Sequence, residues 1–351
     1  MLDQAENPRA GEELNLPALQ KYLQKALPNL DAPLEILQFP SGHSNLTYLL
    51  RAGESEIVLR RPPFGRKPKS GHDMRREWRM LEALQGAFPY SPKALHFCED
   101  TAIFGAPFYI MERIHGLILR KNIPTDLSLP PAELRKLCDH LIDVHKELHA
   151  LNYQDLGLAD FGKPAGYVAR QISGWTRRYR DARTPNVPAF EKVMTWLEAN
   201  LPPERGSAII HNDYRFDNLV LDPKTYRVIG VLDWEMATIG DPLMDLGASL
   251  AYWIQADDPA ELRNMRLGPT DAPGALTRQE VIQRYLQGSE VPENDLVFYY
   301  VYGLFRLAGI AQQIYWRFYH EQTRDKRFQH FDQIVAILER ASLRAMEEDS
   351  I

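Results

Sequence analysis

Apolar residues recur at helical spacing over 15–27, NLPALQKYLQKAL, where Leu16, Leu19, Leu23, Ala26 and Leu27 share a face. That period predicts an amphipathic helix, with Asn15 before Pro17 as its start signal. The pattern then shortens. LEILQFP (34–40), LTYLLRA (46–52) and EIVLRRP (56–62) are strand-like runs separated by the turn compositions PSGHSN and GES, which predicts a small antiparallel meander. A helix follows over about 73–86, with Met74, Trp78, Leu81 and Leu84 on one face, then short strands near 94–98 and 107–113.

After Gly116 the pattern turns mostly helical. Leu134, Leu137, Leu141, Val144 and Leu148 form one stripe of a helix over 131–151. SAIIHNDY (207–214) and YRVIGVLDW (226–234) are apolar runs, each reaching a carboxylate, and the tail from about 292 to 346 reads as two long helices. The first of these is densely aromatic, from Phe298 to Tyr319, a stripe expected to be core packing. A β-rich segment followed by a longer helical one predicts an α+β chain of two lobes. The small antiparallel-sheet lobe is expected over 1–112 and a larger helical lobe over 113–351, with a cleft between lobes as the usual place for a ligand.

Composition narrows the function classes. The 351 residues carry a formal net charge of −6, which gives no basic surface for nucleic acid. Charge is uneven, however: residues 51–80 hold nine Lys/Arg against four acids, either a solvated face or a rim for a phosphorylated ligand. Two cysteines, Cys98 and Cys138, have no metal-ligand spacing and fit a reducing compartment. The N-terminal stretch lacks the apolar region of a signal peptide, and no apolar run approaches a membrane span. The expected location is cytoplasmic.

The chemistry concentrates in HNDYRFDNLVLDPKTYRVIGVLDWEMATIGDPLMDL, residues 211–246. Asp213 is followed five positions later by Asn218, and a second apolar run delivers Asp233. Phosphoryl transfer to a hydroxyl needs a carboxylate to orient the hydroxyl and take its proton, and oxygen ligands to hold Mg²⁺ on the phosphates. Asp213 suits the first task; Asn218 and Asp233 suit the second. His145 and His149 lie four apart on a helix; with no accompanying third ligand in the sequence they are expected to be ordinary histidines.

The pair H-N-D-x-x-x-x-N and L-D-W-E resembles the signature of the aminoglycoside phosphotransferase and choline kinase family, whose fold is protein-kinase-like. PSGHSNLTY (40–48), EIVLR (56–60), MRREWRMLEAL (74–84) and FYIMERIHG (108–116) are similar to its phosphate loop, cation-bearing strand, glutamate helix and hinge. The resemblance implies ATP and Mg²⁺ as cofactors. It implies that Ser41, Gly42, Ser44 and Asn45 face the phosphates, that Val58 roofs the adenine, and that Arg60, held by Glu77, reaches the phosphates. Met111, Glu112 and Arg113 would offer hinge backbone. Asp213 would be the base, His211 an orienter beside it, Asn218 and Asp233 the metal ligands, and Asp245 the tie for the catalytic-loop backbone.

This sequence departs from the family pattern at three positions: Arg60 replaces a lysine, Asn212 a glycine and Trp234 a phenylalanine. Guanidinium and ammonium are not equivalent, and Arg61 is an alternative phosphate cation. A protein kinase is disfavoured by the lack of DFG and APE segments. The narrower resemblance, carried by VLRRPP, QISGWTRRY and VIGVLDWEMATIGDPLMDL, is to kinase-like domains fused to acyl-CoA dehydrogenases. It implies a small-molecule acceptor such as a hydroxyacyl-CoA and a functional partnership with an acyl-CoA dehydrogenase. Basic clusters at Arg60 to Lys69 and at Arg177, Arg178 and Arg180 would suit coenzyme A phosphates. The alternatives are a kinase for an aminoglycoside, choline or homoserine-type alcohol, and a non-catalytic nucleotide-binding module.

Overall fold

The computed structural model describes residues 4–28, 30, 32–40, 45–64 and 73–351. In chain order the elements are α1 (Leu16–Ala26), β1 (Leu34–Gln38), β2 (Leu46–Ala52), β3 (Ser55–Arg61), α2 (Met74–Leu84), β4 (Ala94–Cys98), β5 (Phe108–Glu112), α3 (Pro131–Ala150), α4 (Tyr167–Ala182) and α5 (Glu191–Ala199). There follow β6 (Ala208–Ile210), β7 (Leu219–Leu221), β8 (Val228–Val231), β9 (Thr238–Gly240), α6 (Pro242–Tyr252), α7 (Ala260–Met265), α8 (Arg278–Leu286), α9 (Leu296–Tyr319) and α10 (Phe331–Glu348).

The chain divides into two units. One comprises Met1–Ile118 with Asn218–Ala237, the other Leu119–Asp217 with Thr238–Ile351. A single cut at 112/113 could not show that Asn218–Ala237 returns to the first unit.

In the first unit five antiparallel strands run in the order β1-β2-β3-β5-β4. Strand alternation sends Ile57 and Leu59 of β3 into a cluster with Tyr48, Leu50, Phe108 and Ile110, roofed by Leu19 and Leu23 of α1. Val58 and Arg60 therefore face the other way. Helix α2 starts where the Asp73 carboxylate accepts the Arg76 N–H at 3.0 Å. It stops near Gly86, whose φ of 84° no other residue adopts cheaply. The returning segment forms a β7–β8 hairpin. It is tied on by paired N–H···O bonds of 2.8 Å between Leu117 and Leu221 and by Val231 N–H donating to the Tyr90 carbonyl at 2.7 Å.

In the second unit β6 pairs with β9, so that Ile210 lies opposite Thr238 and the chain enters residues 211–217 from an anchored strand. Helix α6 crosses α9 at a glycine pair. A Cβ on Gly303 would lie 2.0 Å from the Gly247 carbonyl oxygen, so only glycine permits the approach that seats α6. Phe298, Tyr299, Tyr300, Tyr302, Phe305 and Tyr315 are buried, as expected of a core stripe, whereas Tyr319 at its end is 46% exposed. Among the described residues no helix is long and apolar enough to cross a membrane.

Candidate active site

Arg60 on β3 organises the first unit. Its Nη1 lies 2.9 Å from Glu77 Oε1 on α2, and its Nη2 lies 2.9 Å from Asp233 Oδ1 and 3.4 Å from Glu235 Oε2. Arg60 and Glu77 are both buried. Their contact is close but poorly directed: among the described residues Arg60 Nε, both Glu77 oxygens and the Tyr109 hydroxyl complete no hydrogen bond. Charge attraction, stronger where water is excluded, therefore holds the pair. Burial opposes the guanidinium's charge, but Glu77, Asp233 and Glu235 outweigh it and hold Arg60 well above its ordinary value. Burial pushes the Glu77 carboxyl up, with Arg60 opposing.

Asn45 donates from Nδ2 to Glu235 Oε2 at 2.8 Å, so the end of the loop before β2 reaches the same carboxylate. Asp233 follows β8 with φ 67° and ψ 61°, a left-handed conformation that costs a non-glycine residue roughly 1–3 kcal/mol and clusters at functional sites. Its side chain is 35% exposed. Asn218 is buried, and its carbonyl accepts the Leu232 N–H at 2.8 Å. Trp234 is buried edge-on against Phe88, ring centroids 5.9 Å apart, and its indole N–H is satisfied by the Val231 carbonyl at 2.8 Å. The larger ring is thereby accommodated without an orphaned donor.

The loop bearing Asp213 belongs to the second unit and hangs from one carboxylate. Asp245, fully buried on α6, accepts the His211 N–H at Oδ2 and the Asn212 N–H at Oδ1, both at 2.7 Å. Its Oδ2 also lies 3.1 Å from Nε2 of both His145 and His149 on α3. Burial works against the Asp245 charge, but the two histidines outweigh it and hold the carboxyl well below its usual range. Burial lowers His145 to about 4, so its ring is neutral and stacks on Tyr214 at 4.0 Å. Asp245 is thus the partner of the histidine pair that the local sequence did not show; its Oδ2 meets both Nε2 atoms, while His145 Nδ1 completes no hydrogen bond among the described residues.

His211 Nδ1 accepts the Asp213 N–H at 3.2 Å, which assigns the ring proton to Nε2 and fixes the backbone at Asp213. Asn212 has φ 64°. After glycine, asparagine tolerates this region best, which explains its standing at the family's glycine position. Asp213 Oδ1 lies 3.1 Å from Arg215 Nε, and Arg215 Nη1 lies 3.2 Å from Asp217. A cavity lined by Leu141, His145, Phe216, Tyr252, Trp253 and Gly268 adjoins this loop.

Residues 35–276 match the phosphotransferase enzyme family. The chain belongs to that family. It is 37% identical over 303 residues to acyl-CoA dehydrogenase family member 10 of Mus musculus, a match covering 86% of this chain and 28% of that longer protein. A crystal structure from Ralstonia eutropha JMP134, provisionally assigned as an aminoglycoside phosphotransferase, superposes with a TM-score of 0.81 at 30% identity, covering 96% of this chain and 99% of the other. A thermostable mutant of aminoglycoside phosphotransferase APH(4)-Ia, crystallised with ADP and hygromycin B, has a TM-score of 0.59 at 16% identity, covering 93% and 98%. This last likeness is one of fold alone. The α+β, two-lobed kinase-like fold and the class, a small-molecule phosphotransferase with an alcohol acceptor, follow from the family and these relatives.

For this phosphotransferase the structure brings together Asn45, Arg60, Glu77 and Asp233, and separately gathers His211, Asp213 and Asp245. Val58 is buried opposite Met111. The Glu112 side chain lies beside Lys93, and that of Arg113 beside Glu56. Ser41, Gly42 and Ser44 lie outside the described residues, as do Arg66, Lys67 and Lys69 of the basic cluster. Arg61 faces the opposite side of β3, donating to the Pro62 and Phe104 carbonyls at 3.1 and 3.2 Å beneath the Phe64 ring. It is a structural cation. Arg180 is not a free member of its cluster, since it pairs with Glu191 at 2.6 Å. Glu235 was absent from the expected site residues, although the W-E that follows Asp233 was its visible signal.

Proposed function

We propose that the chain is an ATP-dependent kinase that transfers the γ-phosphoryl group to a hydroxyl of a small anionic metabolite, preferably a hydroxyacyl-CoA. The arrangement of Arg60 carries the proposal: a buried cation shared between Glu77 and the Asp233–Glu235 pair is suited to meet phosphate oxygens beside metal ligands. Asp213, held by His211 and the Asp245 anchor, orients the acceptor hydroxyl and takes its proton as the phosphoryl group departs from ADP. Val58 and the hinge backbone of Met111, Glu112 and Arg113 frame the adenine. Ser41, Gly42, Ser44 and Asn45 are assigned to phosphate recognition.

Asn218 and Asp233 would hold Mg²⁺. Their hard oxygen donors, with Glu235 alongside, fit that ion. When bound it neutralises charge on the β- and γ-phosphates. The hydroxyacyl-CoA preference is supported by the 28% of a longer acyl-CoA dehydrogenase family member that this chain resembles. A functional partnership with such a dehydrogenase, in the cytoplasm, completes the proposal.

An ATP-consumption screen across hydroxyacyl-CoAs, free hydroxy acids, aminoglycosides and choline tests the acceptor. Fastest turnover is expected on a hydroxyacyl-CoA. Turnover on choline or an aminoglycoside alone would overturn the acceptor and leave the kinase class standing.

A further inference from the structure

One buried cation of the second unit has no counter-charge in contact. Arg306 lies in the middle of α9 and is 3% exposed. Among the described residues its guanidinium makes no hydrogen bond and no ion pair. Among the described residues the other buried arginines are matched: Arg60 by Glu77, Arg61 by two carbonyls, and Arg278 by Asp258 at 2.6 and 2.7 Å. Burying an unpaired charge costs several kcal/mol, so native proteins rarely do it without a ligand to complete the pair.

The surroundings of Arg306 are aromatic, with a second cation close by. Its guanidinium stands 5.6 Å from the Trp175 ring centroid, and that of Arg178 stands 4.5 Å from the same ring. Arg178 is at the exposed end and, like Arg306, has no carboxylate contact among the described residues. Two like charges thus flank one indole ring, a repulsive arrangement that an oxyanion held by these guanidiniums would relieve. Tyr167, Tyr252 and Tyr302 also surround Arg306, and phenols are uncharged at neutral pH. The Asp213 carboxylate favours the charge of Arg306 through space, but its Oδ1 lies against Arg215. The spacing is built in: a Cβ on Gly309, one turn beyond Arg306, would fall 2.9 Å from Trp175.

We infer that Arg306, with Arg178 at the rim and Trp175 between them, binds an oxyanion of the acceptor, a carboxylate or a phosphate, and so selects anionic alcohols over neutral and cationic ones. This rests on the kinase proposal with Asp213 as base, and deepens it by placing the acceptor's charge recognition. A guanidinium fork matches either oxyanion bidentately, and an aromatic wall excludes the competing water.

Calorimetric titration of the full chain saturated with Mg·ADP provides the test. The probes are 4-hydroxybutyrate and its uncharged counterpart 1,4-butanediol, and glycerol 3-phosphate and its counterpart glycerol. Wild type should bind at least one anion about tenfold or more tightly than its counterpart, the size expected of a charge-assisted hydrogen bond. Which anion wins separates carboxylate from phosphate as the natural group. In Arg306→Met the preference should fall to within about twofold, and in Arg306→Lys part should remain. A preference undiminished in Arg306→Met, or a wild type that does not prefer either anion over its uncharged counterpart, would overturn the inference. Should Arg306→Met not fold, Arg178→Met must weaken the same preference, and no change there would overturn it equally. Failure of Mg·ADP to raise the melting temperature of wild type would instead strike the kinase proposal itself.

Discussion

Arg60 serves Glu77 from one terminal nitrogen and Asp233 and Glu235 from the other, and a lysine's single ammonium cannot reproduce that fork. The replacement of lysine by arginine in β3 is therefore matched by Asp233 lying within its reach. Arg60→Met should lose most activity and lower stability by about 3–5 kcal/mol, because Glu77 is left buried without its counter-charge. Arg60→Lys should retain part of both. Turnover and denaturant unfolding of the two variants check this, and a Met variant as active as wild type would refute the role. Asp213→Ala should lower kcat by roughly 10²–10⁴ with ATP affinity little changed, since general-base assistance has that size. Steady-state kinetics with an accepted alcohol would show it. At this scale the sequence was informative where a residue's neighbours follow it closely, as in Asp213 with His211. It was silent on Arg61, whose role depends on which face of β3 it occupies and on Phe104, which the chain brings back much later.

The elements were legible in proportion to their length and period. The three strands of the meander and α1, α2 and α3 have clear alternation or stripes. The strands β6, β7 and β9 are only three residues long and carry no period. Helix α6 escaped notice because its LMDLGASL run is buried all round, which erases the stripe. Yet α6 brings Asp245 to α3, joining residues about a hundred positions apart.

This α3–α6 junction carries a pH signature. The unfolded chain takes up a proton on His145 near its ordinary value of 6.5, whereas the folded chain resists until about 4. Stability is therefore complete above about 6.5 and is lost as pH falls toward 4, at up to about 1.4 kcal/mol per pH unit for one proton. His145→Phe should be less stable at neutral pH, having lost the bond to Asp245, but its stability should fall less steeply across that interval, by about one proton. Denaturant unfolding from pH 4 to 7 measures both slopes, and equal slopes would contradict the burial of a neutral His145.

At the scale of the molecule, the proposed machinery is divided along the chain. Arg60, Glu77, Asn218, Asp233 and Glu235 belong to one unit, and His211, Asp213, Asp245 and Arg306 to the other. A linear cut at 112/113 could not anticipate this, because the segment that carries the proposed metal ligands folds with residues a hundred positions earlier. The motif order made the family legible from sequence alone. The acceptor was less so, since its recognition rests on an arginine inside an aromatic helix whose pattern says only core. The most direct measurement supplies ATP labelled at the γ-phosphate, with Mg²⁺ and the panel of alcohols, and follows the label. Wild type should place it in an organic phosphate ester in step with ADP release, and Asp233→Asn should not. Label recovered only as inorganic phosphate, or an ester formed equally well by Asp233→Asn, would contradict the account.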